Sequence, residues 1–257
     1  MTMDQRLASE IVDSFRRLDP FEAYYRKDQV EMATVGPLVP ETGDVLRRAF
    51  AQATRVLDVG CGDGRTLLAN ADRLSHAVGI DVSEYMIGLA LRSRDAMGIG
   101  QVDFRQARAV ELPFADNAFD LVFSERGPLG HSDATLKEAL RVLEPGGLIF
   151  VETLGDYDTL GIEKQRFEAH GVTLQTLLAR TQTLVFKDFY ELLKYRCSTL
   201  VYLGRELPTD VDRSWLDDML SEATDASGRI SVPYDTIWIA GSKNAAPTTS
   251  IAAAARP

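Results

Sequence analysis

The chain has 257 residues, 45% hydrophobic and 26% charged, which is ordinary for a soluble globular protein and enough apolar material for one large core. The net charge of −10, with no Lys/Arg cluster, argues against a nucleic-acid partner, because a basic face supplies most backbone affinity. No apolar run approaches the roughly 20 residues that span a bilayer. The N-terminus lacks the basic and apolar segments of a secretory signal, and Cys61 and Cys197 make no disulfide framework, so a reducing cytoplasm is expected.

Leu7, Ile11, Phe15 and Leu18 recur at helical spacing and predict an amphipathic helix over 4–18. An aromatic and charged stretch with Tyr24, Tyr25, Arg26 and Lys27 follows, then a break at Gly36-Pro37. Val45 to Ala53 reads as a helix. Strands are predicted at 55–59, 77–81, 102–106, 119–124 and 147–152, several of them near-continuous apolar runs suited to a parallel sheet covered on both faces. Between strands the chain is long enough for crossover helices. Leu136, Leu140 and Leu143 line one face of a helix expected to stop at Pro145-Gly146-Gly147. The fold class is therefore α/β, doubly wound. Beyond Glu152 come a longer strand at 173–186, helices at 187–203 and 214–222, a final strand at 237–240, and an Ala/Thr/Pro-rich tail from 244 expected to be disordered.

The densest signal is Asp58-Val-Gly60-Cys61-Gly62-Asp-Gly64, at the end of the first strand. In a doubly wound sheet, ligands sit outside the carboxyl ends of the strands. Gly60 and Gly62 are expected to let a ligand approach the backbone, and the helix start after Gly64 to offer free N–H groups. A dinucleotide site requires G-x-G-x-x-G, whose third glycine would stand at 65, where this chain has Arg65. The second strand ends at Asp81, a carboxylate able to accept from two ribose hydroxyls.

Val56-Leu-Asp-Val-Gly-Cys-Gly-Asp-Gly64 resembles the first motif of class I S-adenosylmethionine-dependent methyltransferases. Gly79-Ile-Asp-Val-Ser83, with Met86, resembles their second motif. Glu111-Leu-Pro-Phe…Phe119-Asp-Leu-Val122 resembles the approach to their fourth strand. Leu140-Arg-Val-Leu-Glu-Pro-Gly-Gly147 resembles the junction before the fifth strand of the small-molecule, ubiquinone/menaquinone-type enzymes. The resemblance covers roughly 50–155. It implies a Rossmann-like, seven-stranded, mostly parallel sheet with helices on both faces. It also implies a helical lid at 1–50, a cofactor-binding domain at 51–243 and a helical insertion at about 155–222. S-adenosylmethionine is the implied cofactor, held by Asp58 near its ammonium group and by Gly60, Cys61 and Gly62 at its methionyl end. Asp81 would take the ribose, Val82 and Met86 the adenine end, and Ser124 the region of the methyl group.

One departure lies in Gln106-Ala-Arg-Ala-Val-Glu-Leu-Pro-Phe114. Where the family often has an acid for the adenine amino group, this chain has Arg108. Arginine cannot accept that hydrogen bond, so either it stacks on the base or Ala107 supplies backbone contacts.

Methyl transfer from a sulfonium is mainly a matter of alignment, and a base is needed only for a protonated nucleophile. The candidates past the fourth strand are Glu125, to take a proton or bind an amine, Arg126, to hold a carboxylate, and His131 as a base. No metal-ligand spacing appears. The aromatics Phe186, Phe189, Tyr190, Tyr195 and Tyr202 divide between core and pocket, with core favoured by their spacing. The expected partner is a small-molecule acceptor, and the expected assembly a monomer or homodimer. An RNA or protein methyltransferase and a non-catalytic cofactor-binding regulator are the alternatives.

Overall fold

A computed structural model of the chain describes residues 4–18, 20, 23, 26, 30–35, 40–130, 132–155, 157–202 and 204–244. Tyr24, Tyr25, Lys27, the Gly36-Pro37 break, His131 and all but the first residue of the tail lie outside them. The chain divides into two compact units, one of residues 1–38 and 181–235 and the other of 39–180 and 236–257.

The larger unit is built on a sheet of seven strands. These are β2 (Arg55–Val59), β3 (His76–Asp81), β4 (Val102–Gln106), β5 (Phe119–Glu125), β6 (Leu143–Leu154), and the 172–180 and 236–243 portions of β7 (Val172–Phe186) and β8 (Ser231–Lys243), in the spatial order β7-β8-β6-β5-β2-β3-β4. Strands β2 to β6 pair in parallel with their neighbours, and β8 runs antiparallel to β6. Because β3 and β5 flank β2 on opposite sides, the strand order reverses beside β2. That reversal opens a crevice at the carboxyl ends of β2 and β5.

Both faces of the sheet are buried, which is why its strands read as continuous apolar runs. On one face Leu57, Val59, Val122, Ile149 and Val151 pack against Leu136, Ala139 and Leu140 of α5 (Asp133–Val142) and Phe167 of α6 (Tyr157–Ala169). On the other, Val56, Leu121, Phe123 and Phe150 meet Phe50 of α2 (Pro40–Gln52), Leu67 and Leu68 of α3 (Arg65–Ala69) and Ile87 of α4 (Glu84–Met97). Local signals set the helix ends. Ser83 caps α4 by accepting the Met86 N–H, and Gly98 ends it in the left-handed region at φ 68°.

One expected boundary is corrected. The helix carrying Leu136 and Leu140 ends at Val142, and Leu143 is the first, fully buried residue of β6. Pro145 drives its predecessor Glu144 out of the helical region, so the strand begins before the proline rather than after the glycines.

The smaller unit has its own core. Helix α1 (Gln5–Phe15), capped by Asp4, contributes Ala8, Val12 and Phe15. They cluster with Phe189, Leu192 and Leu193 of α7 (Phe189–Tyr202) and with Leu216 and Met219 of α8 (Arg213–Ala223). Phe186 and Tyr195 join this core, as their spacing favoured, whereas Tyr190 is half-buried and its hydroxyl accepts the Asp4 N–H at 2.8 Å. A short strand, β1 (Met32–Val35), pairs antiparallel with the Thr183–Phe186 end of β7.

Candidate active site

The glycine turn is held by its own backbone. The N–H groups of Gly60 and Cys61 both donate to the Ile80 carbonyl, at 2.8 and 2.9 Å, and Gly64 N–H donates to the Cys61 carbonyl at 2.9 Å. Gly60, Gly62 and Gly64 all have positive φ, a conformation open to glycine at no steric cost. Two of the three glycines also make room for the protein itself. A Cβ on Gly60 would lie 2.7 Å from Pro128 Cδ, and one on Gly64 would lie 2.3 Å from the Phe104 ring. The space into which a side chain at Gly60 would project is therefore taken by the Gly127-Pro128 loop. The first N–H of α3 is not free either, since Arg65 N–H donates to Asp63 Oδ1 at 3.2 Å. Cys61 is buried in the core beside the turn, and burial pushes its thiol pKa up.

Asp81 joins the turn to β3. Its Oδ2 accepts the Gly62 N–H at 3.0 Å and its Oδ1 accepts the Ser83 N–H at 2.9 Å. A carboxylate has about four lone-pair sites, so two remain for hydroxyl donors. Burial raises its pKa, and these backbone donors work against the rise. Next to it Val82 is 44% exposed, presenting an apolar side chain at the strand end. Met86, by contrast, is buried in α4. Ala107 N–H donates to the Asp81 carbonyl at 3.0 Å and is thus already used. Arg108 has an exposed side chain with no hydrogen bond or ion pair among the described residues, and its carbonyl accepts from Glu111 N–H.

Asp58 sits under the turn, 3% exposed, and no hydrogen bond to its carboxylate occurs among the described residues. Burial drives its pKa well up, and the neighbouring charges of Glu125 and Asp81 add to the rise. Asp58, Asp81 and Glu125 thus bring three acids together beneath and beside the turn.

At the end of β5 the side chains diverge. Ser124 is fully buried and donates to the Val59 carbonyl at 2.7 Å, tying β5 to the start of the turn. A Cβ on Gly127 would stand 2.3 Å from Ser124 Oγ, so the glycine there permits the tie. Glu125 Oε2 accepts from Thr66 Oγ1 of α3 at 2.6 Å. Arg126 adopts φ 55°, uncommon for a residue with a side chain, and its N–H donates to the Glu152 carbonyl at 2.8 Å.

Glu152 was not singled out from the sequence. It pairs in register with Glu125 across β5 and β6 and with Trp238 of β8. Burial raises its pKa from 4.5 to about 7, helped by Glu125 and opposed by Arg126 and Arg180. An acid closing a buried strand at the carboxyl edge of the sheet was the available signal, as it was for Asp81. His76 is exposed at the start of β3, and His170 Nδ1 lies 2.8 Å from the Arg166 carbonyl at the end of α6; neither belongs to this site. Among the described residues no group of His, Cys, Asp and Glu is arranged to hold a metal.

Residues 56–147 match the family described as "Methyltransferase domain". An O-methyltransferase, rstn1, of Aspergillus nomiae is 33% identical over 153 residues, 58% of this chain and 66% of that protein. The demethylmenaquinone methyltransferase of Geobacillus kaustophilus is 37% identical over 111 residues, 41% of this chain and 47% of that protein. Among solved structures, the YcgJ protein of Bacillus subtilis superposes with a TM-score of 0.63 at 20% identity, covering 80% of this chain and all of that one, which bears on the fold. The matched parts are thus about half to two thirds of these curated relatives' lengths. The domain over residues 56–147 is a methyltransferase domain of the class I, Rossmann-like type.

Proposed function

We propose that the chain transfers a methyl group from S-adenosylmethionine to a small organic molecule. The observation that carries this reading is Asp58. A buried carboxylate without a donor, beside two further acids, favours a cationic ligand, and S-adenosylmethionine brings both an ammonium and a sulfonium. The remaining residues fit the same ligand. Asp81 keeps lone pairs for ribose hydroxyls, Val82 offers an apolar contact to the base, and the turn at Gly62 lies beside Asp81. The exposed Arg108 guanidinium is able to stack on the adenine, and the Ala107 carbonyl is an acceptor suited to its amino group.

When bound, the sulfonium supplies an activated methyl group. The protein's own residues supply alignment: Asp58 and Asp81 hold the two ends of the donor, and Ser124 fixes the turn against β5. Glu125, with Thr66 on one oxygen, stands at the acceptor end. A net charge of −10 supports a small-molecule acceptor over RNA. Buried free thiols at Cys61 and Cys197, and the lack of any described helix long and apolar enough to cross a membrane, are consistent with a cytoplasmic location.

Calorimetry with S-adenosylmethionine and with NAD tests the reading. Binding of the former and none of the latter is expected, and preferential NAD binding overturns it. Label transfer from the methyl-labelled donor into metabolite pools then identifies the acceptor by mass.

A further inference from the structure

We propose that Arg180 binds a carboxylate carried by the methyl acceptor, which makes the acceptor a small carboxylic acid with an apolar body. The proposal rests on the methyl-transfer reading and deepens it, naming a substrate class and the residue that selects it.

The geometry begins with the direction of β7. Asn244 N–H, just past the end of β8, donates to the carbonyl of Gly171, just before the start of β7, at 2.8 Å. The two strands therefore run antiparallel. Because β8 is also antiparallel to β6, β7 advances toward the same carboxyl edge as β6. Arg180 ends the part of β7 that belongs to the larger unit, on the side of the sheet where pairing of β5 with β6 sets Glu125 opposite Glu152.

Arg180 brings a guanidinium that the chain itself leaves unused. Its Nε is buried with no hydrogen-bond partner, and none of its nitrogens makes a hydrogen bond or ion pair among the described residues. Arg166 is the contrast. Its Nη1 is likewise buried without a hydrogen bond, but its Nη2 donates to the Leu129 carbonyl at 2.9 Å and to Glu163 at 2.7 Å. Buried donors are nearly always satisfied, so an orphaned one calls for an acceptor from outside the chain. Arg180 as a whole is only half-buried, which leaves a ligand access to it.

Electrostatics select the ligand. Burial raises the Glu152 pKa to about 7, and the Arg180 charge works against that rise, so the two heads are near enough to act on each other. No ion pair joins them among the described residues, so Glu152 does not fill the guanidinium fork. A carboxylate fills it with two parallel bonds, one from Nε and one from an outer nitrogen. A dianionic phosphate would set two charges against one guanidinium, with Glu125 and Glu152 close by, and is disfavoured. Trp238, in register with Glu152 and edge to face with Phe150 at 5.3 Å, offers an apolar wall for the rest of the acceptor. Held by both oxygens, the carboxylate is an anchor, and another atom of the acceptor receives the methyl group.

The test has two parts. Calorimetry of the full-length protein without cofactor uses benzoate, benzamide and phenyl phosphate as probes. Benzoate should bind, and benzamide at least roughly 10-fold more weakly. Arg180→Gln should weaken benzoate roughly 10- to 100-fold, and Arg180→Lys, which keeps the charge but not the fork, should fall between. Absent benzoate binding, equal binding of benzamide, tighter binding of phenyl phosphate, or unchanged affinity in Arg180→Gln overturns the proposal. The second part is methyl transfer to a panel of carboxylic acids and their primary amides. Acids should be preferred, with the carboxylate intact in the product. In Arg180→Gln the loss should fall on KM for the acid rather than on kcat, with S-adenosylmethionine affinity unchanged. Methyl ester products, equal use of the amides, or no product with cofactor binding intact overturns the proposal and leaves the methyl-donor reading standing. Failure of the unmodified protein to bind S-adenosylmethionine overturns that reading instead, and the benzoate titration still decides the role of Arg180.

Discussion

Asp58, Asp81 and Glu152 share one chemistry, a carboxylate at the end of a buried strand, yet their surroundings separate them. Asp81 is satisfied by two backbone N–H groups, Asp58 by none, and Glu152 is balanced between like and opposite charges. Asp81→Ala removes the acceptor of the Gly62 N–H as well as the ribose contact proposed for it. Charge-assisted hydrogen bonds are worth about 1.5–3 kcal/mol, so S-adenosylmethionine affinity should fall roughly 10- to 150-fold by calorimetry. Unchanged affinity would remove Asp81 from the ribose. Asp58 and Asp81 were legible in the sequence because motif spacing places them at strand ends. Glu152 was not, because its neighbours Glu125, Arg126, Arg180 and Trp238 come together only through the lateral order of β5, β6, β8 and β7.

Between the elements, α5 does more than cover the sheet. Arg141 donates through Nη1 to the Phe114 carbonyl and Asp116, through Nη2 to the Leu112 carbonyl, and through Nε to Glu138. Glu138 in turn accepts the Leu112 N–H at 2.8 Å. The loop between β4 and β5, with its Glu111-Leu-Pro-Phe sequence, is pinned to the helix by these bonds. Arg141→Ala should cost about 2 kcal/mol in urea unfolding, a value tempered by the partial exposure of Arg141 and Glu138. Amide exchange should quicken across 111–118; unaltered exchange would show that the loop is held by other contacts. The alternation of strands and helices was readable from apolar runs, and their ends from Ser83, Gly98 and Asp4. The end of α5 was misjudged, because Leu143 continues the helical spacing while Pro145 already imposes extended backbone on Glu144.

Across the whole molecule the buried acids give stability a direction in pH. Glu152 has a folded pKa of about 7 against an ordinary 4.5, so between those values the folded state holds more protons than the unfolded one. Its contribution is complete below pH 4.5 and is lost as the pH rises through 7. Asp58 acts with the same sign. Melting should therefore occur at a lower temperature at pH 8 than at pH 6. Glu152→Gln should recover about 1–3 kcal/mol of the loss at pH 8, with little change at pH 5. A Glu152→Gln protein with the same pH dependence as the unmodified chain would show that this carboxyl is not the titrating group.

The amino-acid order alone determined the doubly wound class, the existence of β2 to β8 but not of β1, the glycine turn and the acids near the carboxyl ends of β2 and β3. These depend on local periodicity, on the backbone freedom of glycine and on the position of an acid after an apolar run, all of which act within a few residues. Tertiary structure alone decided that Pro128 occupies the space where a side chain at residue 60 would lie, that Ser124 is buried as a tie to Val59, and that Glu125 and Glu152 face the same edge. Those outcomes join residues tens of positions apart, and only the register of the strands and the packing of the loops between them specifies which side chains meet.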